Sequence, residues 1–258
     1  MEDLKYFCSH LFTSLSFDQK GQVRVCCNNY EIPEDKDGNP ISITNPHFTM
    51  EKAFNSDVHT RIRKNILENK KDPGCFRCWQ TEDNGAESYR TIWNNTLASG
   101  FYKEIMLESM NDKGRIDDPY VTFLDFTVGN KCNLICRMCN VDNSNLWEKE
   151  SKLLYKDNFE LPTTNISVDD RFLSDDFFEN NFKHLKQVNF LGGEPLIIKE
   201  HTDFLKQCIK HGIAKNMVLF YTTNLTVLKD ELFDVWSEFR HVYLGVSIDG
   251  YKEVDDYI

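Results

Sequence analysis

Long apolar runs are missing from this 258-residue sequence, and none approaches the roughly 20 residues that cross a bilayer as a helix. That excludes a chain built of membrane helices. Positive charge is also in short supply. Lys and Arg number 30 against 41 Asp and Glu, leaving a net charge of −11, and a surface of that sign disfavours nucleic-acid phosphates. The opening residues, Met1-Glu2-Asp3-Leu4-Lys5, lack the basic and then apolar pattern of a secretory signal. The expected location is therefore cytoplasmic, without a membrane partner. Core-forming residues are not lacking: 40% hydrophobic and 13% aromatic content suits one or two globular domains.

Cysteine, by contrast, is plentiful. Nine is an odd number for a chain without an export signal, so metal ligation is favoured over a disulfide framework. Cys132, Cys136 and Cys139 crowd into Lys131-Cys-Asn-Leu-Ile-Cys-Arg-Met-Cys-Asn140, directly after a β-rich apolar run, Val121 to Val128, that ends at Gly129. Thiolates are soft ligands that select zinc or iron–sulfur clusters. Closed sites take four protein ligands, and no fourth Cys or His stands near these three. Such a set leaves one coordination position open, where chemistry can occur.

The first part of the chain reads as a small α+β domain over residues 1–115. Leu15–Phe17 and Gln22–Cys27 alternate around a Gly21 turn and predict two short strands. Residues 28–46 are polar and rich in Asn, Asp, Gly and Pro, which predicts a loop. Met50 to Lys71 has helical periodicity and is stopped at Asp72-Pro73-Gly74. A further helical region runs from about Gly85 to Ser109. Cys75 and Cys78 form a C-x2-C pair, and Cys8 and Cys26 add two thiols that a hairpin brings near each other. Four thiolates suit a closed site holding either zinc or a cluster. Cys27, beside Cys26, is an alternative ligand. His10 is another, although a surface or packing role is the simpler expectation. The polar segment 111–118 marks the expected boundary with a second domain, residues 116–258.

In that second domain, strand patterns at Tyr120–Val128, Gln187–Leu191, Met217–Thr222 and His241–Ser247 alternate with helical patterns. The helices are expected near Ser144–Tyr155, Ser174–Leu185, Lys199–His211 and Lys229–Phe239. This alternation predicts a parallel sheet, and such sheets carry their sites at the carboxyl ends of the strands. The four strand ends lead into the cysteine triplet, Gly192-Gly193-Glu194-Pro195, Thr222-Thr223-Asn224 and Ser247-Ile248-Asp249-Gly250. The glycine pair lets backbone approach a ligand closely. Glu194 can accept from an ammonium group, or be a solvated loop carboxylate. Asn224 and Ser247 can hydrogen-bond a ribose or a carboxylate, or simply end their strands. Cys208 sits on an apolar helix face and reads as core.

C-x3-C-x2-C after a first strand, followed by Gly-Gly-Glu-Pro, Thr-Asn and Ser-Ile-Asp-Gly after the next three, resembles the radical S-adenosylmethionine (SAM) enzymes. Met138 stands where that family usually has an aromatic residue. The resemblance implies that Cys132, Cys136 and Cys139 hold a [4Fe–4S] cluster whose fourth iron is chelated by SAM. It also implies that Gly192, Gly193 and Glu194 meet the methionine amine, and that Asn224, Ser247 and Asp249 line the SAM site. The implied reaction is reductive cleavage of SAM to a 5′-deoxyadenosyl radical that takes a hydrogen atom from a substrate. The electron would come from a donor such as flavodoxin or ferredoxin. The implied fold is a partial parallel (β/α) barrel, truncated after four βα units where the sequence stops at Tyr257-Ile258.

The spacing of Cys8, Gly21, Cys26 and Cys75-x2-Cys78 is similar to the twitch and SPASM modules, which hold an auxiliary iron–sulfur cluster. Here, however, the set precedes the SAM part instead of following it. Relatives with such modules often modify peptides, which makes a peptide the substrate expected by analogy. The competing reading is a non-catalytic iron–sulfur or zinc-binding module.

Overall fold

The structure, a computed structural model, describes residues 4–97, 101–127, 129–155 and 174–251. The expected strand end at Val128, positions 98–100 of the expected second helical region, and Tyr257-Ile258 lie outside the described residues. The chain divides into two compact units. One comprises Met1–Ser16 with Gln22–Phe123, and the other Phe17–Gly21 with Leu124–Ile258.

The first unit contains helix α1 (His10–Thr13), all but the last residue of strand β1 (Ser14–Phe17), strand β2 (Val23–Arg24), and helices α2 (Met50–Phe54), α3 (Asp57–Leu67), α4 (Phe76–Asp83), α5 (Tyr89–Leu97) and α6 (Phe101–Glu108). Strand β2 is shorter than its alternation predicts, so Cys26 and Cys27 lie in the turn that follows it. The single helix expected over Met50–Lys71 is two helices, because Asn55 and Ser56 have other work. Ser56 caps α3 by accepting the His59 N–H at 3.3 Å. The Asn55 side chain pairs with both backbone groups of Ile116 at 2.8 Å. Ser56→Ala is expected to lower stability by about 1 kcal/mol, the usual worth of such a cap. A lower urea midpoint at unchanged slope would show it.

The apolar face of α3, Val58, Ile62 and Ile66, packs with Phe7, Leu11, Phe12, Val25 and Ile116. Arg63 on the same helix is fully buried. Its guanidinium donates to the carbonyls of Leu11 at 2.5 Å, Phe54 at 2.6 Å and Gly114 at 3.2 Å. A buried cation needs such acceptors, and burial lowers its pKa to about 9.

The second unit alternates strand and helix: β3 (Phe123–Thr127), α7 (Glu148–Tyr155), α8 (Asp175–Phe182), β4 (Gln187–Leu191), α9 (Lys199–Lys210), β5 (Val218–Thr223), α10 (Asp230–Trp236) and β6 (His241–Val246). The strands lie in the order β3-β4-β5-β6. Strands β4 and β5 are parallel with Gln187 opposite Val218, and β5 and β6 are parallel with Val218 opposite His241. The expected α/β class with a mostly parallel sheet therefore holds. Helix α8 starts where its sequence signal put it, with Ser174 accepting the Phe177 N–H at 3.3 Å. Helix α9 ends at His211 before Gly212, whose φ is +71°.

Phe204 of α9 is the hub of this unit's core. Its ring lies 5.6 Å from Phe126, 5.7 Å from Phe182, 5.9 Å from Phe178 and 6.1 Å from Phe190. All five rings are fully buried, as is Cys208. This packing fixes the helix against the sheet and so fixes where the strand ends emerge. Among the described residues, no helix is long and apolar enough to cross a membrane.

Candidate functional site

The cysteine loop of the second unit is built by its own polar residues. The Cys132 N–H donates to Asn145 Oδ1 at 3.0 Å, and the Asn145 N–H donates to the Asn130 carbonyl at 2.9 Å. Asn130 Nδ2 reaches the Val141 carbonyl at 2.8 Å, and the Ser144 hydroxyl reaches the Leu134 carbonyl at 2.8 Å. Trp147 Nε1 donates to the Cys136 carbonyl at 3.1 Å, and the Cys139 N–H donates to the Cys136 carbonyl at 2.9 Å. The loop is thus closed across its neck. Cys132, Cys136 and Cys139 are half-buried within it. Burial raises the pKa of the Cys139 thiol, and the nearby Cys132 and Cys136 thiols and the Asp249 carboxylate raise it further. The three thiols and Asp249 therefore share one field.

The Gly-Gly-Glu loop sits directly on the cysteine loop. A Cβ on Gly192 would stand 2.2 Å from Thr127 Cγ2, and one on Gly193 would stand 2.4 Å from the Lys131 carbonyl oxygen. Both residues have positive φ, +72° and +53°, where L residues are strained. Packing against the Thr127 side chain and the Lys131 backbone is thus enough to require both glycines, before any ligand is considered.

The Glu194 N–H donates to the same Lys131 carbonyl at 2.9 Å. Its carboxylate, expected to be open to a ligand or to solvent, is fully buried. Oε1 accepts from the Thr223 hydroxyl at 2.7 Å and the Leu196 N–H at 3.1 Å, and Oε2 accepts from the Asn224 N–H at 2.7 Å. The carboxylate thereby ties the loop after β4 to the end of β5.

Asn224 continues the connection. Its Nδ2 lies 3.1 Å from Asn133 Oδ1 and 3.8 Å from Cys132 Sγ. The Ser247 N–H donates to the Thr223 carbonyl at 2.8 Å, while the Ser247 and Asp249 side chains are exposed. Three strand ends are therefore hydrogen-bonded into one rim, with Ser247 and Asp249 at its fourth side. Asn130, Ser144, Asn145, Trp147 and Thr223 carry much of this construction. Thr223 lies in a stretch the spacing singles out, but the other four are not legible in the sequence, because an Asn or Ser in a polar loop gives no local sign of which carbonyl it will meet.

A second set of thiols lies wholly within the first unit. Cys8, Cys26, Cys75 and Cys78 line one cavity together with His10, Tyr89 and Arg90; Cys27 is not part of that lining. Burial pushes the Cys8 thiol up to about 11, against the opposing effect of the His10 backbone N–H, which it accepts; the Cys78 thiol raises it further. Cys26 is raised by burial and then by Cys8, Cys27 and Cys75, and Cys75 by burial and then by Cys8. Such thiols stay protonated until a metal displaces their protons.

The approaches to Cys75 and Cys8 are anchored. Asp72 is buried. Its carboxylate accepts from Asn65 Nδ2 at 2.7 Å, the Gly74 N–H at 2.9 Å and Arg61 Nε at 3.1 Å. Asn29 Nδ2 holds the Gly74 carbonyl at 3.1 Å. On the other side, Asn94 brackets Cys8 by accepting the Ser9 N–H at 2.9 Å and donating to the Phe7 carbonyl at 2.7 Å. Arg90 donates to that same carbonyl at 2.6 Å. His10 is not on the surface; it is buried, and burial lowers its pKa to about 3, so the ring is neutral.

Among the described residues, no three His, Cys, Asp or Glu side chains close on a single point in the manner of one ion's ligands. By donor chemistry, both thiol sets fit an iron–sulfur cluster, whose cysteines bind different irons instead of crowding around one. The three-thiol set fits a cluster with one position left for another ligand, and the four-thiol set fits a closed centre.

No curated protein and no solved structure matches this chain. One family model does, over residues 126–258, which takes in the end of β3, the cysteine loop, the glycine-glycine-glutamate loop and strands β4 to β6. It describes the Radical SAM superfamily and covers just over half of the sequence, so the chain belongs to the radical SAM superfamily.

Proposed function

We propose that the chain is a radical SAM enzyme in which residues 116–258 hold the SAM-cleaving site and residues 1–115 hold an auxiliary centre of the twitch or SPASM kind. When bound, a reduced [4Fe–4S] cluster supplies the electron that splits SAM into methionine and a 5′-deoxyadenosyl radical, which takes a hydrogen atom from the substrate. The observation that carries the reading is the joining of three strand ends through Glu194, Lys131 and Asn224 beside the three thiols. Strands β3 to β6 are the first βα units of a barrel in this reading.

Cys132, Cys136 and Cys139 are the residues that would hold the cluster. Gly192, Gly193 and Glu194 form the wall by the methionine amine. With the Glu194 carboxylate engaged by protein donors, the backbone of that loop presents the acceptors. Asn224, Ser247 and Asp249 supply hydrogen-bonding groups for the carboxylate and ribose. Cys8, Cys26, Cys75 and Cys78 hold the auxiliary centre. Cys26 is preferred to Cys27 because it lines the shared cavity. The electron donor is of the flavodoxin or ferredoxin class, and the substrate class assigned by analogy is a peptide.

Anaerobic reconstitution tests this directly. The expected result is about eight irons per chain, for two clusters of four, an absorption or EPR change on adding SAM, and release of 5′-deoxyadenosine when a reductant is present. Stoichiometric zinc with no response to SAM would instead identify a non-catalytic metal-binding module.

A further inference from the structure

His10 is a buried residue with an unanswered polar atom. Its ring is 1% exposed. It lies parallel to Tyr89 at 4.8 Å and is packed edgewise by Phe123 at 5.3 Å and Trp93 at 5.4 Å. Nδ1 meets the Ser14 hydroxyl at 2.5 Å. Nε2, on the other side of the ring, is buried with no hydrogen-bond partner. Buried polar atoms are nearly always paired, and an exception calls for a reason. His10 is one of the residues lining the cavity shared by Cys8, Cys26, Cys75 and Cys78.

The tautomer is assigned from the neighbouring hydroxyls, giving the Ser14 proton to its nearer acceptor. The Thr13 hydroxyl gives its proton to the Ser9 carbonyl at 3.0 Å. Ser14 then has two acceptors, Nδ1 at 2.5 Å and Thr13 Oγ1 at 3.4 Å. The closer one takes its proton. With Nδ1 accepting, a neutral imidazole carries its hydrogen on Nε2. The free group is then a donor held in an aromatic box, on a residue that lines the thiol cavity.

We propose that His10 is a positioning and tuning residue for the centre held by Cys8, Cys26, Cys75 and Cys78, its Nε2–H donating a hydrogen bond to a sulfur of that centre. This rests on the auxiliary-cluster reading above. Hydrogen bonds to cluster sulfurs set the reduction potential by stabilising the more negative, reduced state. The aromatic box also explains why the donor cannot turn to another acceptor.

The test uses the full chain with Cys132, Cys136 and Cys139 replaced by Ala, so that the first unit's centre is observed alone. It is reconstituted anaerobically and titrated with reductant under EPR. His10→Phe keeps the stack and loses the donor, whereas His10→Gln keeps an N–H. His10→Phe is expected to retain iron and sulfide but to become harder to reduce by about tenfold, or 59 mV for a one-electron couple. His10→Gln should recover most of that difference.

A potential unchanged in His10→Phe, with iron retained, would sink the proposal and leave the imidazole to a buried water or to packing alone. Should His10→Phe not fold, the unsubstituted ring still answers. Pulsed EPR on the same chain labelled with ¹⁵N-histidine should show a weak coupling, and either none or one of directly bonded size overturns the donor role. If the His10 form itself takes up no iron and sulfide, the cluster reading of the four cysteines has failed. That outcome is distinct from a loaded centre that ignores His10.

Discussion

Replacing Cys132, Cys136 and Cys139 together with Ala is expected to remove about four irons per chain and to bring 5′-deoxyadenosine release down to the protein-free background. Each single replacement should be nearly as damaging as all three, because ligands that act as a unit are not additive. The protein should remain folded. The three side chains are only half-buried, and the loop that carries them is closed by Asn130, Ser144, Asn145 and Trp147 instead of by the thiols. Iron, sulfide and circular dichroism measured on one preparation separate loss of the site from loss of the fold. The iron that remains reports the first unit's four cysteines. If the triple variant released 5′-deoxyadenosine at the parent rate, the assignment of this loop would be wrong.

Gly193→Ala is expected to cost about 2–5 kcal/mol in stability and to abolish the spectral response to SAM. Two effects add. The residue has φ +53°, and a left-handed conformation costs an L residue about 1–2 kcal/mol. Its new methyl group would also stand 2.4 Å from the Lys131 carbonyl oxygen, a backbone atom that accepts the Glu194 N–H. Relieving that clash means moving the cysteine loop, and overpacking of this kind typically adds about 1–3 kcal/mol. Gly212→Ala is the matched control. It lies in the same unit with φ +71°, and nothing lies within 4 Å of an added Cβ. It should show only the conformational cost, about 1–2 kcal/mol, and an unchanged response to SAM. Equal effects from the two substitutions would refute the view that the glycine pair exists to let two loops touch.

Much of the site's outline was legible from spacing alone. Three cysteines within eight residues and chemically loaded ends on every strand are local patterns, and alternation of strand and helix turns them into one rim. The roles within that rim were less legible. Glu194 reads as an exposed carboxylate because nothing in its neighbours along the chain indicates Thr223 or Asn224, 29 and 30 residues away. The glycine pair reads as a place for a ligand because the sequence does not show Lys131 lying against it. His10 reads as a surface or packing residue because its aromatic box is assembled from Tyr89, Trp93 and Phe123, far along the chain.

Periodicity and turn chemistry determined the elements with little help from the rest of the molecule. The Ser174 cap, the Gly212 stop and the strand Gln187–Leu191 all act within a few residues. The proposed cysteine chemistry, too, rests on residue type and spacing. Tertiary structure alone decided which polar groups are spent on the protein and which are left for a ligand, since burial and pairing depend on segments brought together from across the chain. It closed the Glu194 carboxylate and left the His10 Nε2 unpaired, and no local pattern carries that distinction.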